Sequence, residues 1–138
     1  MNRDEVLKFI NEHPACHLAT LDGKQPRVRG MLMYRADATG ILFHTGDFKE
    51  LWGQVQANAK VEICFNDFQT NTQIRVMGLA QPVEDQKLKE EIVQARDFLK
   101  PWVQEQGYNM LKVFRVTKCR ASVWTFATNF APKEWLEI

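Results

Sequence analysis

Long apolar runs are missing from this chain: no stretch of its 138 residues approaches the roughly 18–20 that a helix needs to cross a bilayer. The opening Met1-Asn2-Arg3-Asp4-Glu5 is charged where a secretory leader would be apolar, so the expected compartment is the cytoplasm. Cysteine is scarce. Cys16, Cys64 and Cys119 are odd in number and form no C-x-x-C pair, which argues against a disulfide framework and against a zinc knuckle. No charge of one sign dominates; the formal net charge is +1, so neither a basic field for nucleic acid nor an acidic tail is present. Metal spacing is lacking too. His13 and His17 flank Pro14, which breaks any helix between them, and His44 has no ligating neighbour at useful spacing. There is no P-loop, no G-x-G-x-x-G and no nucleophile motif. Without repeats, linkers or low-complexity segments, residues 1–138 read as a single domain.

What is present is an ordinary globular composition, 45% apolar and 25% charged. Asn2 and Glu5 fit a capping box, and Val6, Phe9 and Ile10 form the apolar face of a short helix that Pro14 stops. A strand over 15–21 leads through Asp22-Gly23, a hairpin signal, into a second strand over 26–35. A third covers 41–45. Gly46-Asp47 opens a helix on which Phe48, Leu51, Trp52 and Val55 recur at helical spacing. Strand alternation returns at 60–66 and at 72–83. Asp85 caps a third helix with the stripe Leu88, Ile92, Ala95 and Leu99, ended by Pro101. The last strand, 110–126, switches its apolar phase from Phe114 and Val116 to Cys119, Ala121 and Val123, which predicts a bulge near Thr117–Lys118. About six strands and three helices, without strict βαβ alternation, predict an α+β protein built on an antiparallel barrel.

Two segments carry chemistry. In Pro26-Arg27-Val28-Arg29-Gly30-Met31, strand period puts Arg27, Arg29, Met31, Met33 and Arg35 on one face. Cations beside soft apolar side chains suit a ligand with an anionic tail and a flat ring, and Gly30 lets a planar group approach the backbone. A half-exposed strand with solvated arginines satisfies the same pattern. In Leu42-Phe43-His44-Thr45-Gly46-Asp47-Phe48-Lys49, a strand runs into a helix start, where unpaired N–H groups and the helix dipole favour a phosphate. Thr45 would add a hydroxyl and Lys49 a counter-charge. Against this, Asp47 and Glu50 resemble a capping box that would let the helix cap itself. His44 is open to three roles: a ring contact, an acid–base group, or a satisfied histidine at a strand end.

Together these segments resemble the pyridoxamine 5′-phosphate oxidase-like superfamily of FMN-binding split barrels, in particular its short general-stress and nitroimidazole-resistance-type members. The resemblance also covers Cys16-His17-Leu18-Ala19-Thr20-Leu21, Ala57-Asn58-Ala59-Lys60-Val61 and Ile74-Arg75-Val76-Met77-Gly78-Leu79-Ala80. It implies a six-stranded antiparallel split β-barrel with flanking helices, and FMN held at a homodimer interface. Carried over by position, it implies that Arg29 binds the FMN phosphate, with Thr45 and Lys49 completing that site. Gly30, Met31 and Leu32 would pass beside the isoalloxazine, with His44 near the cofactor. Gln73 and Trp124 would contact the ring region or reach it across the interface.

Three departures qualify the likeness. The full-length oxidases resemble Arg-x-x-Leu-Leu-Lys in the second strand, where this chain has Tyr34 in place of the lysine. Their Ser-Arg-Lys phosphate turn is reduced to Asp47-Phe48-Lys49, and their C-terminal substrate-binding arginine motif has no match in residues 131–138. Pyridoxamine phosphate is therefore not the expected substrate. The resemblance implies an FMN-dependent oxidoreductase fed by NAD(P)H or an organic donor and acting on a small molecule, with no side chain required as a general base. Two alternatives stand beside it. One is a non-catalytic holder of haem, a deazaflavin or FMN on the same barrel. The other is a nucleic-acid barrel using Arg27, Arg29 and Arg35, which the near-zero net charge opposes.

Overall fold

The computed structural model describes residues 1–138. Helix α1 (Arg3–Glu12) begins where its capping box requires: the Asn2 side chain accepts from the Glu5 N–H at 2.9 Å, and the Glu5 carboxylate accepts from the Asn2 N–H at 2.8 Å. Its Val6, Phe9 and Ile10 are buried. The hairpin β1 (Ala15–Asp22) and β2 (Gln25–Leu32) turns at Gly23, whose φ of +59° is costly for other residues. Then come β3 (Arg35–Asp37), β4 (Gly40–Gly46), α2 (Glu50–Ala57), β5 (Lys60–Asp67) and β6 (Thr72–Val83). The chain closes with α3 (Gln86–Ala95), α4 (Lys100–Gln106), β7 (Leu111–Thr125) and β8 (Leu136–Glu137).

All strands pair antiparallel in one sheet of eight, ordered β2-β1-β5-β6-β7-β4-β3, with β8 on β7. The sheet curls. Leu18 of β1, Ile63 and Phe65 of β5, Ile74 and Val76 of β6, Phe114 of β7, Phe43 of β4 and Ala36 of β3 all meet in a single core cluster, although β1 and β3 lie toward opposite ends of the sheet. A second cluster covers the outside of β4 and β7, where Leu88, Ile92 and Val93 of α3 pack on Leu42, Leu111 and Val113. The predicted bulge is present. The β6–β7 register slips between Met77 and Leu79, and Lys118 takes φ +53°. Gly78 permits the close approach, since a Cβ there would sit 2.6 Å from Val116 Cγ1 and 2.8 Å from the Thr117 carbonyl oxygen.

The element count differs from the six strands and three helices expected. The strand predicted over 26–35 breaks after Leu32, because the Met33 N–H donates to the Pro14 carbonyl while the Tyr34 N–H donates to the Leu42 carbonyl. One residue pairs toward β1 and the next toward β4, so β2 and β3 are separate strands at the two ends of the sheet. The short β8 is the other addition. The third helix also divides. It stops at Ala95, which is exposed, and Leu99 lies in a 3₁₀ turn. Pro101 does not end a helix but sits in the first turn of α4, where a missing N–H costs nothing.

Candidate functional site

The curl leaves a gap. β3 pairs only with Gly40–Leu42 of β4, so His44, Thr45 and Gly46 lie beyond its cover, across from the end of β2. In that gap lies a cavity of about 510 Å³, within the roughly 300–1,000 Å³ range of small-ligand sites. Arg29, Gly30, Met31, Leu32, His44, Thr45 and Lys49 all line it. Gln73 and Trp124 do not. They are paired across β6 and β7, and line a separate depression with Arg75, Ser122 and Lys133.

At one end of the cavity, Arg29 is half-buried on the edge strand β2. Its guanidinium donates to Thr20 Oγ1 at 2.8 Å, to the Leu18 carbonyl at 3.3 Å and to Gln54 Oε1 at 2.5 Å. The Thr20 hydroxyl donates in turn to Gln54 Oε1 at 2.6 Å. Burial lowers the Arg29 pKa, and the nearby Glu50 carboxylate works in the opposite direction. The charge is thus fixed in place by neutral partners, and its Nε–H has no protein acceptor.

Beside it, α2 starts two residues later than an Asp47 cap would place it. Lys49 is the N-cap, and no side chain accepts from the first N–H groups. The Asp47–Glu50 capping box is not formed; the Asp47 N–H donates instead to the Met110 carbonyl at 2.9 Å, which holds the turn against the segment before β7. Phe48 folds back so that a Cβ on Gly46 would lie 2.4 Å from its ring. Arg29, Thr45, Lys49 and the open helix start form a cationic corner, tempered by Glu50, which lines the same cavity. Along the floor, Gly30 presents bare backbone. A Cβ there would meet nothing within 4 Å, so the protein's own packing does not demand the glycine.

At the other end, His44 is neutral. Its Nε2 lies 2.7 Å from Nη1 of Arg96, and burial together with that guanidinium drives its pKa from 6.5 down to about 4. Arg96 follows α3 and also donates to the carbonyls of Leu32 (2.9 Å) and Met33 (2.6 Å). Phe98, Leu99, Trp102, Met110 and Leu111 make the apolar wall. Sequence reasoning missed Arg96, Phe98 and Trp102. Only the four-residue spacing of Phe98 and Trp102 hinted at a shared face, and nothing local marks Arg96. Glu50, whose spacing from Asp47 suggests a capping partner, instead lines the cavity.

Other candidate groups are engaged elsewhere. Arg27 pairs with Asp22 at 3.4 Å, and Arg35 with Asp37 at 3.6 Å and Glu91 at 3.2 Å. Burial pushes the Cys16 thiol up to about 12 and the Cys119 thiol to about 11, which makes both poor nucleophiles.

A curled antiparallel sheet with a ligand-sized cavity in the gap between its edges is a split barrel. The chain belongs to the pyridoxamine 5′-phosphate oxidase family, whose model matches residues 3–126. It is 37% identical over 83 residues to the pyridoxine/pyridoxamine 5′-phosphate oxidase of Rhodopseudomonas palustris, a match covering 59% of this chain and 39% of that protein. The chain therefore spans well under half of that relative. Among solved structures, a NimC/NimA family protein from Clostridium acetobutylicum superposes with a TM-score of 0.79 at 24% identity, covering 98% of this chain and 92% of that one. General Stress Protein 26 from Bacillus anthracis gives 0.75 at 17% identity, with 98% and 97% covered. HutZ, a haem storage protein from Vibrio cholerae, gives 0.64 at 17%, with 84% and 89% covered. At these identities the structural likenesses establish the shared fold. No helix of the chain is long and apolar enough to cross a membrane.

Proposed function

We propose that this chain binds FMN in the cavity between β2 and β4, as a homodimer, and serves as an oxidoreductase for a small molecule. The observation that carries this reading is the cationic corner: Arg29, Thr45 and Lys49 converge at an uncapped helix start, beside a glycine whose missing side chain the fold itself does not need. Membership of the family supports a flavin as the occupant. When bound, FMN supplies reversible hydride and electron transfer, with NAD(P)H or an organic donor as the source.

The protein's part is to bind and orient. Arg29, held in place by Thr20 and Gln54, and Lys49 would bind the phosphate, with Thr45 donating its hydroxyl. The backbone of Gly30, Met31 and Leu32 would run beside the ring. Met31, Leu99, Met110 and Leu111 would keep water from it. Gln73 and Trp124 line a different depression of the same chain, so they would reach the cofactor only from a partner copy.

Two rival occupants fit less well. A phosphorylated substrate beside FMN needs a second cation, but the only lysine and arginine lining the cavity are Lys49 and Arg29, and Arg96 behind His44 is spent on two carbonyls and that ring. Haem needs an imidazole nitrogen with a free lone pair; Nε2 of His44 is taken by Arg96, and a neutral ring that accepts there carries its proton on Nδ1.

The test is to extract and identify the chromophore of freshly purified protein, then to titrate the stripped protein with FMN. Arg29→Ala and Lys49→Ala should each weaken binding by about 1.5–3 kcal/mol, the scale of one charge-assisted hydrogen bond. Wild-type affinity in both variants would refute the phosphate assignment. Bleaching of the flavin band on anaerobic mixing with NADH or NADPH would establish the electron donor.

A further inference from the structure

Arg96 is the residue that ends α3, its N–H closing the last turn on the Ile92 carbonyl at 2.9 Å. Its guanidinium then crosses the gap in the barrel. It holds the end of β2 through the Leu32 and Met33 carbonyls, it holds β4 through His44 Nε2, and it lies 5.3 Å over the Tyr34 ring. Tyr34 is itself tied to α3, its hydroxyl donating to the Glu91 carboxylate. A guanidinium has five donors and no acceptor, so the ring nitrogen it meets must be the acceptor. A neutral imidazole that accepts at Nε2 carries its proton on Nδ1. His44 lines the cavity, and no protein atom accepts from its Nδ1.

We infer that Arg96 is a positioning residue that locks His44 in its neutral Nδ1–H form, so that this N–H is a fixed donor for an acceptor atom on whatever occupies the cavity. The depressed basicity of His44 agrees with this, since a second positive charge beside Arg96 is disfavoured in a half-dry site. Tilted against the ring, with centroids 6.2 Å apart, Phe98 limits how the imidazole can turn. The ligand this arrangement selects has a carbonyl or unprotonated ring nitrogen at that edge. It is not a group that must itself donate at that edge. The ligand half of the inference rests on the FMN reading, because the pyrimidine edge of the flavin offers such acceptors; the tautomer half does not.

Two measurements separate them. The first is nitrogen-15 NMR of the histidines at pH 7 without added cofactor. In the wild type, His44 should show a protonated Nδ1 and a bare Nε2. In Arg96→Ala the proton should redistribute toward Nε2, and Arg96→Lys, which keeps a donor, should restore much of the wild-type pattern. A wild-type His44 protonated at Nε2, or at both nitrogens, overturns the proposal. The second is FMN affinity across a double-mutant cycle. Arg96→Ala and His44→Phe should each weaken binding about tenfold, one neutral hydrogen bond's worth, and the double variant should be no worse than His44→Phe. Additive losses would mean that Arg96 does not act through His44. If the NMR pattern is as expected but the wild type ignores FMN, the tautomer assignment stands and the cofactor reading falls.

Discussion

His44 and Gly30 are single residues whose surroundings make opposite demands. Unfolded, His44 takes up a proton near its ordinary pKa of 6.5; folded, it resists until about 4. Between those values the unfolded chain binds more protons, so stability must fall as pH drops from 6.5 and level off below 4. The loss should reach about 3 kcal/mol at most. Urea denaturation at pH 7, 5 and 4 measures it, and His44→Asn should remove that part of the slope while the carboxylate contribution remains. Gly30 is the converse case. With open space around its absent Cβ, Gly30→Ala should fold as well as the wild type or gain about 0.5–1 kcal/mol from a stiffer strand. FMN affinity should drop in the same variant. If it does not, the cofactor does not pass over this strand. At this scale the sequence was informative where chemistry is local. Arg29, Gly30 and Thr45 could be picked out by type and neighbourhood. Arg96 could not, because its three acceptors lie on residues more than fifty positions away.

Among the elements, α2 has the arrangement most open to test. Its N-cap is a lysine with extended backbone and no side-chain acceptor for the helix N–H groups. Serine at that position would cap the helix and contribute about 1 kcal/mol of stability. Lys49→Ser should therefore raise the thermal midpoint and weaken FMN binding together. A variant that is stabilised but binds FMN as tightly as the wild type would remove Lys49 from the phosphate site. The late start of this helix was hidden in the sequence, since Asp47 has every local feature of a cap. What withdraws it is a bond to the Met110 carbonyl, contributed from sixty-three positions downstream. The break between β2 and β3 was equally hidden, because alternation continues through Met33 while the hydrogen-bond partners change from β1's side to β4. The bulge of β7 could be read in advance, because a phase switch from Val116 to Cys119 is a property of one strand's own side chains.

For the whole molecule, the open question is whether one chain holds a complete site. The outer face of the β1-β5-β6-β7 portion of the sheet bears half-buried polar pairs, among them Arg75–Glu62 at 2.9 Å and Gln73–Asn66 at 3.0 Å. Around the β6–β7 end stand exposed aromatics, with Phe68 at 84%, Phe126 at 76% and Phe130 at 99% exposure. A monomer leaves such surface to water at a cost, and the homodimer proposed above predicts that a second copy covers it. If the copies pack so that the depression holding Gln73 and Trp124 meets the neighbour's cavity, each site draws on both chains. Trp124→Ala should then weaken FMN binding although Trp124 does not line the cavity of its own chain. Arg29→Ala fails for a different reason, so the two defective proteins can be mixed, unfolded and refolded together. Random pairing gives heterodimers in which one site has both an intact Arg29 and an intact Trp124, about a quarter of all sites. Recovery of that fraction of tight FMN sites, absent from either variant alone, requires a shared site. Sedimentation as a monomer, or no recovery on mixing, would confine the cofactor to the gap between β2 and β4 of a single chain.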